Sequence, residues 1–124
     1  MIFELTWLLS GIANTSKEDI ASLQPHILTE QINTNVIGTH LVTQAASPLF
    51  ESGTKIVNIS SMVASFAVTH SFPILHVPSY SISKAALNSA CFSYSSSIEE
   101  ELTLFCSVGS KASFLLHGMC RRFS

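Results

Sequence analysis

The chain has 124 residues, of which 47% are hydrophobic and 11% are charged, and its formal net charge is −2. A chain of this length fits one domain, and its composition is too apolar for an intrinsically disordered segment. Six basic residues against eight acidic ones do not form the positive stripe that nucleic-acid binding requires. No run reaches the roughly 20 apolar residues that cross a bilayer. We therefore predict a single domain without a nucleic-acid or membrane partner.

The N-terminus and the cysteines indicate a cytoplasmic protein. The apolar segment Met1–Leu9 contains Glu4 and has no basic residue before it, unlike a secretory signal. The three cysteines, Cys91, Cys106 and Cys120, cannot all pair within the chain and have no zinc-site spacing. We therefore expect reduced thiols.

The first predicted elements are a strand and a long helix. Phe3–Leu9 is a short apolar run with aromatic residues, and the turn-like Ser10-Gly11 follows it, so it is predicted as a buried strand. Residues 25 to about 46 have the spacing of an amphipathic helix, with Pro25 in the first turn and an end before Pro48. The apolar stripe of this helix comprises Leu28, Ile32, Val36, Thr39, Val42 and Ala46.

The second half of the chain continues the alternation. Lys55–Ser61 is apolar and β-branched, which is typical of a strand. Met62–Pro78 contains two prolines and no dominant period, so we predict a long loop. A helix is predicted from Ser79 to about Glu100, with Ser79 or Ser81 as its N-cap.

The third predicted strand is Leu102–Val108. Strand, helix, strand, helix, strand in one chain implies parallel strands joined by right-handed crossovers. The predicted fold class is therefore α/β, with a partial doubly wound, Rossmann-like parallel sheet of about three strands and two long helices. We expect residues 1–124 to form one partial domain.

Three features of the sequence indicate candidate residues for a catalytic or binding site. Asn35 lies on the apolar stripe of the long helix, where a buried amide must find partners. Ser61 follows a strand at the end where open α/β sheets place their ligand crevice. Tyr80 and Lys84 are four residues apart and share one helix face. Each feature alone also has a structural explanation: a core amide, a turn cap and a chance pair.

A phenol beside an ammonium is suited to proton transfer. A phenol has an unperturbed pKa near 10, so proton exchange at neutral pH needs a group that stabilises the phenolate. A charge about 4 Å away contributes roughly 4 kcal/mol at an effective dielectric of 20, but only about 1 kcal/mol in bulk water. Such a pair therefore requires a site closed to water.

Three segments in this order resemble the short-chain dehydrogenase/reductase family. They are Asn35-Val36-Ile37-Gly38, Ile56-Val57-Asn58-Ile59-Ser60-Ser61 and Tyr80-Ser81-Ile82-Ser83-Lys84-Ala85-Ala86-Leu87-Asn88. The resemblance covers roughly residues 10–100. It implies an oxidoreductase that uses NAD or NADP to reduce a carbonyl compound or to oxidise a secondary alcohol, which would be its small-molecule substrate.

The resemblance also implies residue roles. Tyr80 would be the general acid or base, and Ser61 would orient the substrate carbonyl or hydroxyl. Lys84 would hold the nicotinamide ribose and favour the phenolate, while Asn35 would position water in a proton relay that reaches Lys84. Gly11 falls at the glycine of the family's Asn-Asn-Ala-Gly segment. The implied cofactor-binding residues are therefore Tyr80, Lys84 and Gly11.

The sequence departs from the family pattern in three places. Its five glycines nowhere form the TGxxxGxG phosphate-binding turn. Leu8 and Leu9 stand where the family has two asparagines, and residues 107–124 match no family segment. The motifs present belong to strands four to six of the sheet order 3-2-1-4-5-6. We therefore expect a truncated chain that corresponds to the C-terminal half of the domain, which leaves its activity and the choice between NAD and NADP open.

The sequence leaves one alternative function open and disfavours two others. A non-catalytic module would use the two long helices for homodimerisation or for pairing with a full-length relative. A serine hydrolase has little support, because there is no GxSxG segment and Asp19 is the only aspartate. A metal site also has little support, because His70 and His76 lack the spacing of a ligand set.

Overall fold

The computed structural model describes residues 8–9, 11–13, 18–19, 21–50, 55–71, 76–95 and 103–107. The strands are β1 (Leu8–Leu9), β2 (Lys55–Ile59) and β3 (Thr103–Ser107). The α-helices are α1 (Pro25–Ile32), α2 (Thr39–Ala46), α3 (Phe66–Ser71) and α4 (Pro78–Ser95). A π-helical segment, Asn33–Gly38, separates α1 from α2, and short 3₁₀ helices span Ser47–Leu49 and Met62–Ala64.

The three short strands pair in parallel in the order β1-β2-β3. Leu8 aligns with Val57 across the first pair, and Ile56 aligns with Leu104 across the second. The predicted strand pattern is confirmed for these residues, whereas residues 3–7 of the first predicted strand lie outside the described part. Because successive strands are neighbours in one direction, right-handed crossovers carry both connecting helices to the same face of the sheet.

The first long helix, which we define as residues 25–46, is continuous through its π segment. Asn33 and Gly38 both have right-handed helical dihedral angles, and Pro25 occupies the first turn as expected. The predicted apolar stripe is only partly correct, because Val42 is 40% exposed. The buried positions of this helix include Gln31, Asn35 and Thr39. Residues four apart lie on one face of a helix, so these three side chains share the face that is buried.

The start of α4 differs from its prediction. Ser79 and Ser81 lie inside the helix rather than at an N-cap, because α4 begins at Pro78. The fixed backbone angle of proline suits the first helical position, where its missing N–H has no intrahelical acceptor to lose. Residues 96–100 of the predicted helix lie outside the described part.

The predicted loop at Met62–Pro78 is wrong for much of its length. The Ser61 hydroxyl accepts a hydrogen bond of 3.4 Å from the Val63 N–H and caps the 3₁₀ helix that follows β2. The six-residue helix α3 comes next, and its Thr69 hydroxyl donates to the Ser65 carbonyl over 3.0 Å. A helix of one and a half turns is too short to show a hydrophobic period, so the sequence pattern did not indicate it.

The two long helices pack side by side and run in the same direction. Gln31 contacts Ser79 and Asn35 contacts Ser83, so both pairs are separated by 48 residues. The described elements thus form one helical layer of the predicted doubly wound fold. None of the helices within the described ranges has the length and hydropathy of a membrane-spanning segment.

The apolar core lies between α4, the first long helix and β2. Ile56, Leu87 and Cys91 are almost fully buried, and Val36, Phe50 and Tyr94 pack against them. The Cys91 Sγ atom accepts a hydrogen bond of 3.1 Å from the Asn58 Nδ2 atom. At the far end of the helix pair, the Tyr94 hydroxyl and the His40 Nδ1 atom share a hydrogen bond. Burial raises the pKa of Tyr94, and the neighbouring Cys91 adds to the shift.

The position of the core predicts that replacing two different leucines by alanine has unequal effects on the free energy of unfolding. Leu87 is 3% exposed, so Leu87→Ala leaves a cavity and lowers the free energy of unfolding by about 2–5 kcal/mol. Leu49 is 66% exposed, and we expect Leu49→Ala to change it by less than about 0.5 kcal/mol. Urea unfolding measures both variants. Equal destabilisation would contradict the assignment of Leu87 to the core.

Candidate active site

The candidate site lies at the carboxyl ends of β1 and β2. Parallel strands end at the same edge of a sheet, so the segment that follows Leu9 and the segment that follows Ile59 are neighbours. Helix α4 brings Lys84 to this edge, where its Nζ atom donates a hydrogen bond of 2.8 Å to the Ile59 carbonyl. Lys84 is only 4% exposed. The Tyr80 side chain is half-buried, and its ring centroid lies 5.7 Å from the Lys84 ammonium.

Asn35 connects three parts of the site. Its Oδ1 atom accepts from the Ile12 N–H over 2.8 Å, and its Nδ2 atom donates to the Ile12 carbonyl over the same distance. Nδ2 also donates to the Ser83 hydroxyl over 3.0 Å. Asn35 is 1% exposed, as its position on the buried face predicted. The side chain therefore joins the first long helix to the segment after β1 and to α4.

Gly11 lies against both Asn35 and Lys84. A Cβ atom built on Gly11 would be 2.6 Å from the Asn35 Oδ1 atom and 3.1 Å from the Lys84 Nζ atom. Real Cβ atoms essentially never come within 3.0 Å of such an atom, so a side chain at this position would displace the Asn35 amide from its hydrogen bonds. Gly11 itself is exposed, which leaves its backbone beside Lys84 open to a ligand.

The structure therefore joins Gly11, Asn35, Lys84 and Tyr80 into one connected group. Ser61 occupies the end of the next segment, after β2, and is half-buried. Its described contact is the cap of the 3₁₀ helix through Val63. The predicted catalytic role of Ser61 therefore rests only on the position of this residue at the edge of the sheet.

Four residues that the motifs did not single out complete the polar network. The buried Ser83 hydroxyl donates to the Tyr80 carbonyl over 2.8 Å, besides accepting from Asn35. Gln31, Ser79 and Glu18 form a second chain of hydrogen bonds beside it. A sequence signal exists for three of these residues: Gln31 and Asn35 are four apart, as are Ser79 and Ser83. Residues four apart share one helix face, so this spacing indicates a polar face on each helix but not which partner that face contacts.

A cleft of about 500 Å³ is lined by residues of α4, α3 and the 3₁₀ helix Met62–Ala64, and none of Gly11, Asn35, Ser61, Tyr80 and Lys84 is among them. Its walls are mainly apolar and include Val63, close after Ser61, and Pro78, close before Tyr80. His70 and His76 also line it. Among the residues that the structure describes, no cluster of three or more His, Cys, Asp or Glu side chains could hold a metal ion.

The donor set fits the sugar end of a nicotinamide nucleotide. The phenol of Tyr80 and the ammonium of Lys84 are hydrogen-bond donors for hydroxyl groups. The exposed Gly11 backbone lies beside that ammonium without a side chain to obstruct a ligand. Tyr80, Lys84 and Gly11 are therefore the residues suited to hold this part of a cofactor.

The close approach at Gly11 generates a test. We expect Gly11→Ala to lower the free energy of unfolding by about 1–3 kcal/mol, because the new methyl group displaces the Asn35 amide. Gly38→Ala is the control, since a Cβ there would be an ordinary 3.4 Å from the nearest carbonyl oxygen, and alanine is favoured over glycine in a helix. Thermal unfolding compares the two variants. A Gly11→Ala protein as stable as Gly38→Ala would contradict this geometry.

Solved structures of carbonyl reductases are similar to this chain. A carbonyl reductase from Pseudomonas aeruginosa PAO1 is 27% identical, with a TM-score of 0.72 over 87% of this chain and 49% of its own. The same bacterium's carbonyl reductase in complex with NADP is 26% identical, with a TM-score of 0.65 over 80% and 43%. The NADPH-bound carbonyl reductase from chicken fatty liver is 29% identical, with a TM-score of 0.62 over 80% and 42%. The chain thus spans less than half the length of these proteins.

No curated protein sequence matches the chain significantly. Residues 5–101 match the family described as Enoyl-(Acyl carrier protein) reductase. This match contains Gly11, Asn35, Ser61, Tyr80 and Lys84, and the structural similarity confirms a partial Rossmann fold of the same kind. On the evidence of its sequence match and its fold, the chain belongs to the short-chain dehydrogenase/reductase family.

Proposed function

We propose that this chain carries the catalytic residues of an NAD(P)(H)-dependent oxidoreductase that reduces a carbonyl compound or oxidises a secondary alcohol. The observation that supports it is the connected group of Gly11, Asn35, Lys84 and Tyr80 at the carboxyl edge of the sheet. A buried ammonium beside a phenol at the ligand crevice suits proton transfer to or from an oxygen atom.

In this proposal Tyr80 donates a proton to the carbonyl oxygen during reduction and removes one from the alcohol during oxidation. Lys84 is held in place by its hydrogen bond to the Ile59 carbonyl. Its charge stabilises the negative charge that develops on the phenol oxygen, and burial makes this interaction stronger than it would be in water. Ser61 would orient the substrate oxygen from the neighbouring strand end.

Asn35 has a positioning role in the proposal. Its side-chain amide is occupied by Ile12 and Ser83. A water molecule in a proton relay toward Lys84 would therefore use the Asn35 backbone carbonyl, which also accepts from the Thr39 hydroxyl over 3.0 Å. A carbonyl oxygen has two lone pairs and can serve both donors.

The cofactor would be NAD or NADP, held at its nicotinamide ribose by Tyr80 and Lys84 beside Gly11. When bound, it supplies or accepts the hydride. NADP and NADPH are bound in two of the similar carbonyl reductases, which favours the phosphorylated form here.

The decisive experiment removes the hydroxyl group of Tyr80 and measures the effect on carbonyl reduction. NADPH-dependent reduction of a panel of small aliphatic and aromatic carbonyl compounds is measured for the chain and for Tyr80→Phe. We expect the variant to lose activity by about 100- to 10,000-fold, the usual contribution of general acid–base catalysis. Tyr94→Phe is the matched control, because it removes a phenol hydroxyl from the same helix at a position in contact with His40. Equal rates for the chain and Tyr80→Phe would contradict the proposal.

Cofactor binding is measured separately by thermal unfolding with NADPH or NADH. A ligand at about 100 times its dissociation constant adds about 2.7 kcal/mol of stability. We expect the same stabilisation in Tyr80→Phe to within about 1 kcal/mol, since Lys84 and Gly11 remain. A chain whose unfolding temperature does not respond to either nucleotide would contradict the proposed cofactor.

A second candidate function is self-association through the two long helices. Both carry large apolar side chains with high exposure, among them Leu41 at 56% and Phe92 at 75%. A contiguous exposed apolar patch is typical of a protein contact, and His40, next to Leu41, contacts Tyr94 on the helix that carries Phe92. We propose that a second copy of the chain covers this surface, whether or not the site is active.

Size-exclusion chromatography with light scattering tests the association. We expect a dimer for the chain and a monomer for Leu41→Glu, because a carboxylate cannot be buried unpaired in an interface. Leu49→Glu changes a residue that is 66% exposed and lies beyond the end of α2, and it should remain dimeric. A monomeric parent chain would contradict the proposal.

A further inference from the structure

The residue before Tyr80 is held by a carboxylate from a distant part of the chain. Glu18 Oε2 accepts a hydrogen bond of 3.0 Å from the Ser79 N–H, and Glu18 Oε1 accepts one of 3.0 Å from the Ser79 hydroxyl. The Ser79 hydroxyl in turn accepts from Gln31 Nε2 over 2.6 Å. Ser79 is completely buried and Gln31 is 1% exposed, while Glu18 is half-buried.

This contact provides a hydrogen-bond acceptor for an N–H group of α4 that has no acceptor within the helix. The first N–H groups of a helix have no intrahelical acceptor, and Pro78 has no N–H at all. The Ser81 N–H bonds to the Val77 carbonyl over 2.9 Å, so the helical pattern begins only there. A carboxylate is a strong acceptor for the remaining N–H of Ser79, and its charge suits the positive end of the helix dipole.

The carboxylate is presented by an ordered turn. Asp19, the next residue, accepts at its Oδ1 atom from the N–H groups of Ala21 and Ser22 over 2.9 and 2.8 Å. The Ser22 hydroxyl accepts from the Asp19 N–H over 2.8 Å. Hydrogen bonding from Ser22 lowers the pKa of the Asp19 carboxyl group, because these bonds favour its charged form.

Tyr80 is therefore held from both sides along the chain. On its C-terminal side, the Ser83 hydroxyl donates to the Tyr80 carbonyl and is bonded to Asn35. On its N-terminal side, Glu18 holds Ser79. We infer that Glu18 is a positioning residue that fixes the first turn of α4, and with it the Tyr80 side chain, at the sheet edge. Only the kinetic consequence of this inference rests on the proposed function.

The experiment compares Glu18→Ala with Glu30→Ala. Glu30 is an exposed residue of α1, so its variant removes the same charge and the same side chain elsewhere. Amide hydrogen exchange is followed by NMR, with the kinetics of carbonyl reduction measured alongside. We expect exchange at the Ser79 amide to become at least about tenfold faster in Glu18→Ala only, because an N–H without a protein acceptor is exposed to local opening.

We expect Glu18→Ala to lower kcat and to leave the KM for NADPH almost unchanged. Misplacement of a reacting group by about 1 Å costs on the order of 100-fold in rate, so we expect kcat to fall by about 10- to 100-fold in Glu18→Ala. The KM for NADPH should change by less than about threefold, because Lys84 lies one turn further along α4 and keeps its bond to Ile59. Loss of folded protein would also lower the apparent kcat at an unchanged KM, so the rates of both variants are expressed per folded molecule, with the folded fraction taken from urea unfolding.

The outcomes distinguish this inference from the proposed function. Unchanged exchange at Ser79 in Glu18→Ala, or an equal change in Glu30→Ala, overturns the inference even if Tyr80→Phe is inactive. If the parent chain has no reductase activity, the proposed function fails, and the exchange rate alone decides the role of Glu18. Should Glu18→Ala not fold, Glu18→Gln replaces it: the amide keeps one acceptor and loses the charge, so intermediate exchange supports the inference and parental exchange overturns it.

Discussion

The buried side-chain amide of Asn35 is the interaction on which the site depends. A buried amide must have its hydrogen bonds made within the protein, because leaving them unmade costs about 1–3 kcal/mol for each polar group. The partners of Asn35 are the backbone of Ile12 and the hydroxyl of Ser83. One side chain therefore fixes the distance between the first long helix, the segment after β1 and α4.

The neighbouring features follow from this constraint. The segment after β1 approaches the amide so closely that Gly11 has no space for a Cβ atom. Asn35 lies within the π-helical segment, an irregularity that is frequent at functional sites and that interrupts the regular bonding of the helix. The Ser83 hydroxyl, which accepts from Asn35, donates its own hydrogen bond to the Tyr80 carbonyl. The position of the phenol thus depends on a network that begins in another helix.

Much of the architecture was predictable because it follows local rules. Proline in the first turn and a long apolar period indicated the helix at residues 25–46, and β-branched runs indicated β2 and β3. Helix α3 was missed, since six residues carry too little periodicity. The predicted apolar stripe failed at Val42, which is 40% exposed, whereas the polar residues Gln31 and Asn35 are almost fully buried. Hydrogen bonds from Gln31 and Asn35 to Ser79 and Ser83 of α4 allow these polar side chains to be buried.

The sequence by itself determined the family, the α/β alternation and the identity of Asn35, Ser61, Tyr80 and Lys84 as candidates, because these depend on residue type and on spacing along the chain. Only the tertiary structure decided which of them meet, since their partners are tens of residues away. The 48-residue separation of Gln31 from Ser79 and the 61-residue separation of Glu18 from Ser79 have no local signature. Such contacts arise from the crossover connections that bring two helices and one strand end to the same edge of the sheet.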